Sequence, residues 1–196
     1  MAKRAFDIAV SVAGVIALSP VLVVIAILVK VGSPGPVLYR GVRTGLQGRP
    51  FRILKFRTMR PDAELVGGGS TAKDDVRITR VGRVLRRLKL DELPQLVNVV
   101  LGDMSLVGPR PELPQYTREY TQEEQLILSV RPGITDYASI EFSRLGEVLG
   151  NEDPDTVYET RVRPVKNALR LKYVRERTFA EDLRILGRTL LKIVGD

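Results

Sequence analysis

Residues 90–111 read LDELPQLVNVVLGDMSLVGPRP, and they set two adjacent carboxylates, Asp91 and Glu92, directly ahead of an apolar run. Pro94 suits a first helical turn, because its missing N–H would have had no partner there, and Leu93, Leu96, Val97, Val100 and Leu101 follow at helical spacing. The dyad therefore falls at or just before a helix N-terminus, where unpaired N–H groups and the macrodipole favour negative charge and also welcome a phosphate. One reading makes Asp91 a helix cap worth about 1 kcal/mol; the other makes the pair a reactive site. The stretch closes on Gly-Pro-Arg-Pro. Flanking prolines limit the freedom that Arg110 would lose on binding, which suits it to grip a phosphate bidentately, although a surface turn with an idle arginine would read the same. Asp103 fits a helix-end charge or an outer partner and stays outside the expected site.

Composition narrows the chemistry. The 196 residues correspond to about one domain and contain no cysteine and no histidine. Thiolate catalysis, disulfides, Ser-His-Asp triads and His-based zinc sites are therefore excluded. Carboxylates, Lys, Tyr, Ser and Thr remain, and any metal is expected to be a hard cation held by oxygen, with Mg²⁺ the natural choice beside phosphates. A net charge of +8 points to an anionic partner: nucleic acid, an anionic membrane or a phosphorylated substrate.

Upstream, Ile8 to Val29 runs for 22 residues without a charge. A straight helix of that length would reach about 33 Å, against a hydrocarbon core of about 30 Å. Ser19-Pro20 falls in its middle, so a kink is expected there, with the Ser19 hydroxyl satisfying a freed backbone group. Basic residues flank both ends, Lys3 and Arg4 before and Lys30, Arg40 and Arg43 after, and the positive-inside rule then selects neither side for export. A re-entrant helical hairpin broken at Ser19-Pro20, with both ends in the cytoplasm, meets that symmetry; a straight span and a cleaved signal peptide compete with it.

Lys30 to Arg60 carries eight basic residues and no acid, as a juxtamembrane block on anionic head groups would. Leu38–Arg43 and Phe51–Met59 read as strands, the second interleaving Lys55 and Arg57 with Phe51, Ile53, Leu54, Phe56 and Met59; both basic residues are expected to face the phosphates. Gly67, Gly68 and Gly69 with Ser70 and Thr71 read as a mobile loop that lacks the P-loop spacing. Thr79–Leu90 reads as a basic amphipathic helix with Val81, Val84, Leu85 and Leu88 on one face, lying in the membrane interface. At least one of Arg83, Arg86 and Arg87 is expected to turn toward the phosphates. Pro114–Val130 reads as acidic and helical. Beyond Asp153, Tyr158, Val162, Val165, Leu169 and Tyr173 form one helical face, and Phe179–Val194 a docking helix.

Taken together, LDELPQLVNVV, GDMSLVGPRP, FRILKFRTM (residues 51–59), ITRVGRVLRR (78–87) and RPGIT (131–135) resemble the bacterial sugar transferases, the monotopic phosphoglycosyl transferases. The motifs occur in order, from the apolar N-terminus to about Ile140. The resemblance implies transfer of a phospho-sugar from a UDP-sugar to polyprenol phosphate with Mg²⁺, through a covalent intermediate on the Asp of the Asp-Glu pair, here Asp91. Glu92 would hold Mg²⁺ with Asp91 or orient it, and Lys55, Arg57, Arg86, Arg110 and Arg131 would bind phosphates. It also implies a re-entrant membrane helix, a bacterial inner membrane location with the catalytic part on the cytosolic face, and membrane lipids as partners; it leaves room for a homodimer.

The chain departs from the family at two places. Lys89 stands where relatives usually carry Ser or Thr. Asp136-Tyr137-Ala138-Ser139-Ile140-Glu141-Phe142 stands where many read Gly-Trp-Ala-Gln-Val-Asn-Gly-Arg, so the sugar does not transfer, and Tyr137 suits either base stacking or the core. The expected fold is a helix-rich α+β domain on the membrane: residues 1–36 form the re-entrant helix and exit turn, and 37–196 the catalytic part. Two other classes are weighed. A membrane-tethered anionic-lipid or nucleic-acid binder would explain the charge but not the dyad, and no nucleic acid is expected, since aromatics are 6% with no Trp. A lipid-phosphate hydrolase would use the same aspartyl phosphate with water as acceptor.

Overall fold

A computed structural model of the chain describes residues 2–63, 75–142 and 154–195; the glycine-rich loop expected at residues 67–71 lies outside them. The fold is α+β and helix-rich, as its sequence suggests.

Helix α1 (Ala2–Gly32) is one apolar helix of 31 residues, about 46 Å long at 1.5 Å per residue. Helical structure continues through Ser19-Pro20, so the expected division into two separate halves is not seen. Pro20 has no N–H for the Ile16 carbonyl, and the Ser19 hydroxyl donates to that same carbonyl at 2.8 Å. Both ends of α1 lie against one body. At its start, Arg4 donates to the carbonyls of Val99 and Met104, and Lys3 to that of Val107 and to Asp182. Toward its end, Ile25 and Val29 pack with Phe56 and Leu85. Between these contacts one face of the helix stays against the body, with Ser11 fully buried and Gly14 close to Leu96, while the other face is bare, with Ile16 68% and Val23 58% exposed.

The two expected strands, β1 (Leu38–Thr44) and β2 (Pro50–Phe56), pair antiparallel, setting Tyr39 opposite Lys55 and Gly41 opposite Ile53. Helix α2 (Arg80–Arg87) is capped by Thr79, whose hydroxyl accepts from the Gly82 amide at 2.9 Å. The expected apolar face is divided: Leu85 is buried with Val81 packed beside it, while Val84 and Leu88 look outward. Lys89, at a left-handed φ of 55°, ends it, a conformation costing a side-chain-bearing residue about 1–2 kcal/mol. A 3₁₀ turn (Leu90–Glu92) then leads into helix α3 (Gln95–Leu101), which Gly102 closes at φ 99°.

The motifs GDMSLVGPRP and RPGIT each contain a strand that periodicity had not revealed. β3 (Ser105–Val107) and β4 (Gly133–Thr135) pair in parallel at the centre of the molecule. Three residues are too few to display a period of two, and the three residues of β3 are all buried. Pro114–Val130 is not one helix: helix α4 (Pro114–Arg118) is followed by a 3₁₀ segment, Glu124–Ser129. Helix α5 (Tyr137–Glu141) starts from a cap by Asp136. Helix α6 (Pro154–Val157) passes through a π turn (Tyr158–Val162) into helix α7 (Arg163–Glu176), and helix α8 (Phe179–Gly195) ends the fold. The π turn shifts the helical phase, so Tyr158, Val162 and Tyr173 are buried while Val165 is 47% exposed. Ile53, Val99, Met104, Val107, Tyr173 and Ile185 meet in the main core, which gives α8 its docking role.

Gly82 is where α2 presses on the chain after β2: a Cβ there would overlap the backbone of Thr58. Gly187, in α8, has open space around it. Gly82→Ala should therefore lower the melting temperature of the detergent-solubilised protein, by an overpacking penalty of about 1–3 kcal/mol. Gly187→Ala should raise it, through helix propensity worth up to about 1 kcal/mol. Equal melting temperatures for the two variants would count against this packing of α2.

Candidate active site

Three elements distant in sequence converge on the dyad. The 3₁₀ turn carries Asp91 and Glu92, the end of β2 carries Lys55, and the loop after β3 carries Arg110. The joint between the first two is Asn98, 1% exposed on α3. Its side-chain oxygen accepts from the Leu54 amide and its NH₂ donates to the Arg52 carbonyl, both at 2.9 Å. The amide thus occupies the free edge of β2 as a further strand would, and it fixes the distance from Lys55 to the dyad. The apolar reading of this helix overlooked Asn98; an amide inside LPQLVNVVL was the signal available.

Glu92 Oε1 accepts from Lys55 Nζ at 2.9 Å and from the Arg110 guanidinium. Another nitrogen of Arg110 donates to the Ile134 carbonyl at 3.0 Å, and its peptide N–H to Asp136 at 3.1 Å. Asp91 stands in contrast. It is 7% exposed, and among the described residues no group donates a hydrogen bond to its carboxylate or pairs with it. The helix-cap reading of Asp91 therefore fails: neither the turn nor α3 has a side-chain cap. Arg86 is the member of its basic triplet that turns inward. Its Nε donates to the Thr58 hydroxyl at 2.8 Å and its charge acts on Asp91, while Arg83 and Arg87 stay exposed.

The neighbouring acids respond oppositely to this setting. Burial pushes the Asp91 carboxyl above its ordinary value and the Glu92 charge pushes it further, against Lys55, Arg86 and Arg110. Burial acts the same way on Glu92, but Arg110 and Lys55 outweigh it and hold that carboxyl well below its usual range. Lys55 is itself lowered, by burial that Glu92 only partly offsets. Three cations against two carboxylates leave positive charge over, so the site favours an anion. Among the described residues no group of three or more acidic ligands could hold a metal alone. Mg²⁺ needs only one or two carboxylates when phosphates complete its shell, and Asp91 with the unengaged Glu92 Oε2 meets that need.

Two expected phosphate ligands lie elsewhere. Arg57 is 7% exposed and spends its guanidinium on the carbonyls of Ser33, Pro34 and Pro36 in the exit turn of α1. The strand ends at Phe56, so the alternation that would have kept Arg57 beside Lys55 stops one residue too early. Arg131 Nε donates to the Gly102 carbonyl at 3.0 Å, at the end of α3. Tyr137 donates its hydroxyl to Glu181 at 2.7 Å and sets its ring edge-on to Tyr173, so it serves the core side of the α5–α8 contact.

A family model described as bacterial sugar transferase matches residues 1–196. Among curated proteins, the undecaprenyl-phosphate glucose phosphotransferase of Komagataeibacter xylinus is 41% identical over 195 residues, which cover 96% of this chain and 35% of that protein. The UDP-glucose:undecaprenyl-phosphate glucose-1-phosphate transferase of Escherichia coli (strain K12) is 39% identical over 193 residues, covering 97% of this chain and 39% of its own. The exopolysaccharide production protein PSS of Rhizobium leguminosarum bv. phaseoli is 38% identical over 200 residues, covering 96% and 93%. The chain thus spans little more than a third of the first two relatives and nearly all of the third.

The raised Asp91 carboxyl can be read directly. In carbodiimide labelling followed by peptide mass spectrometry, only the protonated acid is activated, so Asp91 should stay labelled to higher pH than an exposed aspartate. Lys55 and Arg110 both favour its charged form; Lys55→Met and Arg110→Met should each move the labelling midpoint to still higher pH. A midpoint that stays put in both variants would contradict this electrostatic arrangement.

Proposed function

The chain belongs to the bacterial sugar transferase family, and from that premise we propose that it moves a phospho-sugar from a UDP-sugar to undecaprenyl phosphate through a covalent intermediate on Asp91. One observation carries the assignment: of two adjacent acids, Glu92 is held by Lys55 and Arg110, while Asp91 is buried beside the same cations and accepts no hydrogen bond from the described residues. An acid with no donor on it is free to form a bond to phosphorus.

In the first step an Asp91 carboxylate oxygen attacks the sugar-bearing phosphorus. The new O–P bond forms as the bond to the bridging oxygen breaks, and UMP leaves with that electron pair. Lys55, Arg86 and Arg110 supply positive charge where the phosphoryl oxygens gather negative charge, and Glu92 keeps Lys55 and Arg110 aimed. Asp91 and Glu92 would hold Mg²⁺, which when bound would supply neutralisation of charge on the leaving group. In the second step a phosphate oxygen of the lipid attacks the same phosphorus and frees the Asp91 carboxylate, giving polyprenyl-diphosphate-sugar. Neither step needs a proton from the protein, which suits a chain without histidine or cysteine. Relatives are named for glucose and for N-acetylgalactosamine, so both donors are candidates.

The acceptor requires a membrane. α1 is long and apolar enough to cross one, yet both its ends pack on the catalytic body. A crossing helix would carry one end away from that body; the paired contacts support a helix that dips into the cytoplasmic leaflet of the inner membrane and returns, bent at Ser19-Pro20. The outward apolar residues Val84, Leu88 and Leu101 would rest on the same leaflet.

Intact-mass spectrometry tests the chemistry. With Mg²⁺ and UDP-glucose or UDP-N-acetylgalactosamine, the wild type should gain a phospho-sugar increment that undecaprenyl phosphate discharges, and Asp91→Asn should gain none. UMP release by Asp91→Asn at the wild-type rate would end the nucleophile assignment, and discharge by water alone at the lipid-stimulated rate would favour a hydrolase. Topology is separately accessible because the chain has no native cysteine. Ala2→Cys and Val31→Cys should react with an impermeant maleimide from the same face of sealed vesicles, with Ile16→Cys protected; labelling from opposite faces would show a span.

A further inference from the structure

Arg110 lies between Pro109 and Pro111, so its peptide N–H is the only backbone donor of that tripeptide, and Asp136 takes it. Asp136 is 1% exposed, and its other oxygen accepts from the amide and hydroxyl of Ser139, both at 2.6 Å. On the far side of the loop, the Glu112 carboxylate points inward while its peptide carbonyl accepts from the Thr44 amide at 3.0 Å. Two acids therefore bracket Arg110, the buried Asp136 through its own amide and the partly buried Glu112 two residues along the chain.

A single guanidinium stands between them. Arg170 on α7 is 2% exposed; it donates to Glu112 Oε1 at 2.6 Å and to Asn167 at 2.9 Å, and its Nε lies 3.9 Å from Asp136 Oδ2. That Nε has no hydrogen-bond partner, so it faces Asp136 through charge alone. Tyr158 adds a donor to Glu112 at 2.5 Å. The side chain touches no atom of the dyad, and the mechanism above leaves it without a role.

We propose that Arg170 is a positioning residue for Arg110: it neutralises Asp136 and Glu112 together, holds the Pro109–Pro111 loop between them, and so fixes the guanidinium that receives the donor's diphosphate. The catalytic part of this inference rests on the proposed function; the structural part does not. A planar fork is required, since it hydrogen-bonds one acid while keeping its delocalised charge against the other, whereas a lysine ammonium on a flexible stem reaches one of them. With Asp136 uncompensated the amide of Arg110 loses a fixed acceptor, and the Arg110 side chain moves relative to Glu92 and Lys55.

The test uses the full chain in detergent and the variants Arg170→Lys, Arg110→Lys and the double variant. Without any ligand, hydrogen exchange should show the peptide containing Arg110 exchanging about tenfold faster in Arg170→Lys, while peptides of β2 and α3 keep wild-type rates. Isothermal titration with UDP and Mg²⁺, a probe independent of sugar identity, should show affinity about tenfold weaker in Arg170→Lys. In the Arg110→Lys background, adding Arg170→Lys should weaken it less than about twofold, because the effect runs through Arg110. An unchanged exchange rate at Arg110, faster exchange spread over the whole protein, or the same tenfold loss in both backgrounds would overturn the proposal. A wild type that does not bind UDP would instead overturn the assigned function, and the exchange data would still decide where Arg170 acts.

Discussion

One carboxylate oxygen, Glu92 Oε1, receives donors from both Lys55 and Arg110. Through it a strand, a 3₁₀ turn and a proline-bounded loop are held in one arrangement, although the sequence sets the three residues 18 and 37 positions apart. Its consequence is a division of labour between neighbours. Glu92 absorbs the two cations as direct contacts, which keeps them from closing on Asp91, and Asp91 is left buried and unbonded within reach of their field. Adjacent acids thus reach opposite electrostatic states because one has partners and the other has none among the described residues, and a pair split in this way can divide nucleophile from scaffold.

The support behind this cluster is polar and buried. Asn98 ties α3 to the edge of β2, Thr58 turns Arg86 inward, and Asp136 fixes the loop amide of Arg110. A polar group held this deep is costly unless satisfied, so each of these bonds selects one packing over its near neighbours. The same reasoning explains why the apolar N-terminal helix is part of the domain instead of a tether. Arg57 clamps its exit turn through three carbonyls, and Lys3, Arg4 and Asp7 bond its first turns to β3 and α3, Asp7 accepting from the Ser105 hydroxyl. α1 is therefore bonded to the same elements, α3 and β3, that position the candidate site.

Most of the site was legible in sequence, and the failures are instructive. LDELPQLVNVV announced the dyad and its helix, and alternation announced β2 and Lys55. The same alternation, extended past Phe56, placed Arg57 at the phosphates, where the chain had already left the strand. RPGIT announced a constrained segment but not that Arg131 caps α3. Spacing and composition did not separate Asp91 from Glu92, and only the family resemblance singled out Asp91, because both sit on the same turn and differ in what approaches them from elsewhere.

Sequence by itself determined the local features. The long apolar helix with its proline, the amphipathic α2, the strands β1 and β2, and the absence of histidine and cysteine that narrows the chemistry to carboxylates, Lys, Tyr, Ser and Thr all follow from spacing and composition. Tertiary structure alone decided which acid is bare, which arginines point inward, and that three-residue strands β3 and β4 form the centre. The physical reason is range. Periodicity and capping act over a few residues along the chain, whereas the pairings of Lys55 with Glu92, Glu92 with Arg110, and Arg170 with Glu112 depend on directions that exist only once distant segments have packed.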